Sequence, residues 1–222
     1  MTRRIAVLGA GSWGTALANL AARTGAEVAL WARDGAHVAE MRATGENARR
    51  LPGVPLDSNL TPTDDLAAAV DGAQAALAVV PAQAMREMAR RLAAVLPPQT
   101  PVVACAKGIE RGTGAFMSEV FAAELPQAPY AILSGPSFAE DVGAGLPTAV
   151  TLAAADLALA ERLAGLLAAP WFRLYHSDDV RGVEIGGAAK NVLAIACGAA
   201  AGRGLGASAG AALVARGFAE LS

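Results

Sequence analysis

The feature that most constrains this chain is a short apolar run, Arg4-Ile5-Ala6-Val7-Leu8, that ends at once in Gly9-Ala10-Gly11-Ser12-Trp13-Gly14. The run reads as a buried strand of a parallel sheet, being continuously apolar and bounded by glycine. An alanine- and leucine-rich helix is expected from about Ser12 to Arg23, closing at Gly25. A Gly-x-Gly-x-x-Gly turn between strand and helix has the form of a dinucleotide phosphate cradle. In such a cradle Gly9 permits the tight turn, Gly11 lets the backbone approach a pyrophosphate, and Gly14 lets helix and strand pack closely. The helix N-terminus adds free N–H groups and the positive end of its dipole. The plainer alternative is an ordinary strand-to-helix turn.

The rest of the chain repeats the same alternation. Glu27–Ala32 reads as a second strand, and Asp34 as the N-cap of a helix running through Met41. The segment 49–63, with three prolines and Gly53, reads as a loop. Helices are expected over 64–70, 82–96, 115–124 and 156–167, and strands over 75–80, 102–106, 130–133, 148–152 and 172–175. Strands alternating with helices predict an α/β fold, a Rossmann-like doubly wound and mostly parallel sheet. After Ser177-Asp178-Asp179 the strand signal stops and Gly/Ala-rich helical sequence follows, with a last helix around 211–221. We therefore expect a dinucleotide-binding domain over residues 1–179 and the beginning of an all-α domain over 180–222.

Composition narrows the classes. The 222 residues are 54% hydrophobic and 17% charged, which predicts a substantial core. Aromatic residues make up 5% and the net charge is −2, so neither a stacking surface nor a basic patch for nucleic acid is expected. Cys105 and Cys197 each sit in an apolar run and read as buried thiols of a reducing compartment. With His37 and His176 they form no zinc spacing, and no metal site is expected. The apolar run after Met1-Thr2-Arg3-Arg4 is too short for a signal peptide, and longer uncharged stretches are interrupted before a membrane span is reached. These readings predict a cytoplasmic protein; its oligomeric state stays open, a homodimer among the arrangements.

Four further positions carry chemistry. The second strand ends in Arg33, whose guanidinium can fork onto the 2′-phosphate of NADP, where an acid would serve the ribose of NAD. Asp34 beside it is either a ribose acceptor or a helix cap. NADP is the expected cofactor, with NAD tolerated. Lys107 follows a predicted strand, at the end of the sheet where ligands of such folds bind. Ser134-Gly135-Pro136-Ser137-Phe138-Ala139 follows another, as a turn with exposed N–H groups and a hydroxyl. Either is also readable as a surface loop, but two polar turns at strand ends in an otherwise apolar region favour a site. Lys190 lies in an apolar helical run with Gly186, Gly187, Leu193 and Ala194 as its helix neighbours, so no carboxylate pairs with it locally. A desolvated lysine exchanges protons near neutrality and suits general acid–base work; a lysine snorkelling to solvent fits the same pattern.

Taken together, Gly9-Ala-Gly-Ser-Trp-Gly-Thr-Ala-Leu-Ala18, Lys107-Gly-Ile-Glu110, Ser134-Gly-Pro-Ser-Phe-Ala139 and Gly186-Gly-Ala-Ala-Lys-Asn-Val-Leu-Ala-Ile195 resemble the bacterial NAD(P)-dependent glycerol-3-phosphate dehydrogenases. The resemblance implies reversible reduction of the phosphorylated substrate dihydroxyacetone phosphate to sn-glycerol 3-phosphate, a phospholipid precursor. It assigns Ser12, Trp13 and Arg33 to the dinucleotide, beside the glycines Gly9, Gly11 and Gly14 that the spacing of the turn already puts there. Lys107 would touch cofactor and substrate, Gly135 and Ser137 the substrate, and Ala139 the cofactor. Lys190 would bind substrate and accept the proton in the oxidative direction. Two departures stand out. Ala207-Ser208-Ala209-Gly210 replaces the family's usual Ala-Asn-Ala-Arg, and members of the family continue for about another hundred residues, roughly a domain's length. That further region would carry an acidic partner and an Arg-Asn pair for the substrate phosphate, so a chain without it is expected to bind NADP(H) yet turn over slowly. Two other readings stay open: a related two-domain dehydrogenase of a β-hydroxy acid or sugar acid, and an NADP-binding module without turnover.

Overall fold

The computed structural model describes residues 3–221. β1 (Arg4–Leu8) runs straight into the glycine turn and α1 (Ser12–Arg23), followed by β2 (Glu27–Trp31) and α2 (Gly35–Thr44). Asp34 caps α2 by accepting from the Ala36 and His37 N–H groups, and Gly45, with φ 67°, ends it in the left-handed conformation. Then come β3 (Leu60–Thr63), α3 (Leu66–Val70), β4 (Ala75–Ala78), a 3₁₀ turn over Ala82–Ala84, α4 (Met85–Ala93), β5 (Val102–Ala104) and α5 (Met117–Glu124). β6 (Tyr130–Ser134), α6 (Ala139–Gly143), β7 (Thr148–Ala153), α7 (Leu157–Leu167) and β8 (Phe172–Ser177) complete the sheet unit; α8 (Val180–Gly202) and α9 (Gly206–Leu221) follow.

One sheet, in the order β3-β2-β1-β4-β5-β6-β7-β8, holds all the strands. Every neighbouring pair is parallel except β6 and β7. Alternate residues of β1 feed two cores: Ile5 and Val7 face α1 and α7, while Ala6 and Leu8 face α3, α4 and α5. Helices therefore cover both faces, as the doubly wound reading requires.

The structure corrects several boundaries. The 49–63 segment is not all loop, since its end forms β3. Pro62 hid this strand, and it is tolerated because β3 is the sheet's edge and pairs only with β2. The helix expected over 82–96 opens as a 3₁₀ turn and stops at Ala93. The strands expected over 75–80 and 102–106 end two residues early, at Ala78 and Ala104, which frees their last residues for loops at the sheet's carboxyl edge. The five-residue α6 escapes a periodicity reading because it is barely one turn long.

Among the described residues, α8 is the one helix long and apolar enough to cross a membrane by length and composition. Arg181, Glu184, Lys190 and the glycine pair do not interrupt it, contrary to the expectation that such stretches are broken. Glu184 and Lys190 on this helix are bonded to residues of the sheet unit.

Candidate active site

The glycine turn is built as its spacing requires. Gly9 has φ 126°, and a Cβ there would collide with the Val79 carbonyl at the end of β4. A Cβ on Gly14 would collide with the Gly9 carbonyl. Gly11 is the opposite case: a Cβ there meets nothing within 4 Å, so its outer side is open to a ligand. As N-cap of α1, Gly11 supplies no side chain to cap the helix, which leaves the first N–H groups to an anion. Ser12 Oγ donates to the Arg50 carbonyl at 2.6 Å. Its hydroxyl thus ties the 47–51 loop to the cradle, while its backbone N–H stays at the helix mouth.

That loop is held by a buried polar network that sequence reading missed. Asn47 Nδ2 donates to the Ala10 carbonyl at 3.1 Å and to Thr15 Oγ1 at 2.7 Å. Its Oδ1 lies 2.8 Å from His37 Nε2. Asn47 and Thr15 are fully buried, and with three partners satisfied the network fixes the turn. No sequence pattern connects residues 10, 15, 37 and 47, so no signal marked it.

Beside the cradle a cleft of about 490 Å³ opens at the carboxyl ends of β1, β2 and β4. It is lined by Gly9–Gly11, by Trp31–Asp34 with His37, and by residues of the β4 end and α4. The order of the sheet reverses between β1 and β4, the switch point where such sheets bind ligands. Arg33 lines the cleft, exposed and without a carboxylate partner among the described residues. Asp34 Oδ1 is engaged in capping α2, and Oδ2 lies 3.6 Å from Arg49. The cap reading of Asp34 therefore holds.

The second group of predicted residues gathers around the N-terminus of α1, outside this cleft. Lys107 Nζ sits 5.7 Å from the Trp13 ring centroid. Lys190, from α8, donates to the Gly135 carbonyl at 2.8 Å, so two loops and a helix meet at one point. Burial, then the charge of Lys190 facing it, lowers the Lys107 pKa to about 8. Ser137 Oγ and Trp13 Nε1 are buried without hydrogen-bond partners. Buried polar atoms are seldom left so, and the facing ammonium groups of Lys107 and Lys190 suit an anion. Ala139 opens α6 and packs against the same core as Trp13.

Packing explains how these groups are placed. A Cβ on Gly187 would meet Ser134 Oγ, so glycine there lets α8 approach the end of β6. Glu184, buried at 6% exposure, accepts from the Ser118 N–H and hydroxyl, both at 2.8 Å, and pins α8 to α5. The loop carrying Lys107 is locked by Glu110, which pairs in a fork with Arg86 at 2.8 Å and accepts from Thr113 at 2.6 Å. Arg86 above all holds the Glu110 carboxyl down at about 2. Cys105, just ahead of Lys107, is fully buried and its thiol pKa is pushed up by desolvation, which makes it inert packing.

A doubly wound sheet with a glycine cradle at its switch point and a basic cleft beside it defines a dinucleotide-binding α/β protein. Residues 4–160 match a family model described as NAD-dependent glycerol-3-phosphate dehydrogenase N-terminus, and residues 179–222 match the C-terminus model of the same name. The chain belongs to the NAD-dependent glycerol-3-phosphate dehydrogenase family. It is 69% identical over 220 residues to a glycerol-3-phosphate dehydrogenase [NAD(P)+] of Beijerinckia indica, covering 99% of this chain and 65% of that protein. A protein of the same name from Azorhizobium caulinodans is 65% identical, over 98% of this chain and 66% of its own length. This chain therefore spans about two thirds of the length of these relatives. The crystal structure of glycerol-3-phosphate dehydrogenase from Coxiella burnetii superposes with a TM-score of 0.92 at 44% identity, covering 99% of this chain and 67% of that one.

Proposed function

We propose that this protein transfers hydride between NAD(P)H and dihydroxyacetone phosphate, giving sn-glycerol 3-phosphate, in the cytoplasm. The observation that carries this reading is the convergence of Lys107 and Lys190, the first beside the Trp13 ring at the start of α1 and the second bonded to the Gly135 carbonyl, two residues before Ser137 with its unpartnered hydroxyl. The dinucleotide would lie along Gly9, Gly11 and Gly14, with the backbone of Ser12, the Trp13 ring, Arg33 and Ala139 as its other contacts. When bound, its nicotinamide supplies the hydride chemistry.

The chain's own residues then divide the remaining work. Lys107, Gly135 and Ser137 orient the phosphorylated ketone. Lys190 Nζ, fixed by the Gly135 carbonyl, hands a proton to the oxygen that gains charge on reduction and takes it back in the oxidative direction. We assign residues 1–179 to the dinucleotide unit and 180–222 to the helical substrate unit. The end of β8 at Ser177 and the change of family model between 160 and 179 support that division. The two free thiols, Cys105 buried and Cys197 half-buried, suit a reducing compartment.

The test is substrate choice. In a protein extended to the relatives' full length, NADPH consumption should saturate with dihydroxyacetone phosphate and be negligible with unphosphorylated dihydroxyacetone or with the keto forms of β-hydroxy acids. Equal rates with a keto acid would replace this reading with the hydroxy-acid one.

A further inference from the structure

We propose that Arg91 of α4 is a second determinant for NADP, reading the 2′-phosphate together with Arg33; this rests on the dinucleotide reading of the cleft. Three arginines line that cleft: Arg33, Arg50 and Arg91. Nearby arginines are neutralised within the protein. Arg49 pairs with Asp34 and Glu40, Arg86 with Glu110 and Glu124, and Arg90 with Glu124. The three cleft arginines have no carboxylate within ion-pair distance among the described residues. Adjacent positions on α4 thus do different things: Arg90 turns away to Glu124, and Arg91 faces the cleft.

Arg91 is also held in place. Its guanidinium lies over the Trp31 ring, 4.9 Å from the centroid. Trp31 ends β2 two residues before Arg33, and its own Nε1 donates to the Asp64 carbonyl at 3.1 Å. A stacked guanidinium keeps its N–H edge free, and a fixed one loses little freedom when it forks onto an oxyanion. The acids of the cleft do not cancel the charge. Asp34 is engaged by its helix cap and Arg49, and Glu87, one turn before Arg91 on α4, makes no ion pair with it. A cleft with this excess of unpaired guanidinium suits the doubly charged 2′-phosphate of NADP and gives no comparable gain with the ribose hydroxyl of NAD.

The experiment is a binding titration of Arg91→Gln and Arg91→Lys against the unaltered chain. Energy transfer from tryptophan to nicotinamide reports NADPH and NADH, and calorimetry reports adenosine 2′,5′-bisphosphate and AMP. The inference expects Arg91→Gln to weaken NADPH and the bisphosphate about tenfold while NADH and AMP stay within about twofold. Arg91→Lys, which keeps charge but not the fork, should fall between. Equal weakening of both dinucleotides, or no change in either, would overturn it. Should Arg91→Gln fail to fold, as judged by its thermal transition, Arg91→Lys alone decides, by whether NADPH loses affinity relative to NADH. An unaltered chain that binds neither dinucleotide would mean that the cleft reading itself has failed.

Discussion

At the scale of residues, Lys107 is the group whose behaviour is most open to measurement. Burial and the facing Lys190 lower its pKa from 10.5 to about 8. The folded chain therefore gives up this proton earlier than the unfolded one, so this lysine's contribution to stability is least favourable below about pH 8 and improves as pH rises through that window. An anion bound beside it works the other way and favours the charged form. Affinity for glycerol 3-phosphate should then fall as pH climbs above about 8, and Lys190→Met, which removes the like charge, should move that midpoint upward. Calorimetric titration across pH checks both; a flat profile would remove Lys107 from the anion site. Arg33 makes a sharper prediction. Arg33→Asp should cost NADPH about tenfold or more in affinity while sparing NADH, and equal loss for both would make Arg33 structural. Legibility at this scale followed local context. Lys190 stood out because a lysine inside an apolar run has no neighbour to neutralise it, and Arg33 because a strand end fixes where it points. Asn47 and Glu184 gave no such sign, since what makes them matter are partners at positions 10, 15, 37 and 118 that only folding brings near.

At the scale of elements, α8 decides whether Lys190 reaches its place. Glycine at 187 permits the approach and Glu184 secures it. Glu184→Ala leaves the Ser118 N–H and hydroxyl buried without an acceptor, which costs about 1–3 kcal/mol. For a chain of this size that lowers the melting temperature by about 2–4 °C per kcal/mol. Arg216→Ala, which breaks an exposed pair with Glu220 on α9, should change stability by no more than about 0.5 kcal/mol and serves as the control. Thermal melts of the two variants separate an anchor from a surface pair, and equal effects would deny Glu184 its role. The long elements were readable from period and caps: α1, α2 and α7 begin where glycine or aspartate ends a strand or turn. β3 and α6 were not. One carries a proline that only an edge position tolerates, and the other is too short to show a period.

At the scale of the whole molecule, sheet order joins the two halves of the proposed site. Reversal between β1 and β4 places the cradle and the basic cleft at one edge, and β5 and β6 bring Lys107 and Ser137 to that same edge. α8, arriving after the last strand, closes the arrangement with Lys190. The alternation of strands and helices made the sheet foreseeable. That the lysines face each other near Trp13 and Gly135, and not inside the cleft, depended on packing between segments far apart in sequence. The central claim is that this meeting point is where the proton moves. Single-turnover kinetics of Lys190→Ala, in a protein extended to the relatives' full length, tests it most directly. NADPH should bind with nearly unchanged affinity, while its oxidation by dihydroxyacetone phosphate slows by about a hundredfold or more. Near-normal oxidation in that variant would contradict the account.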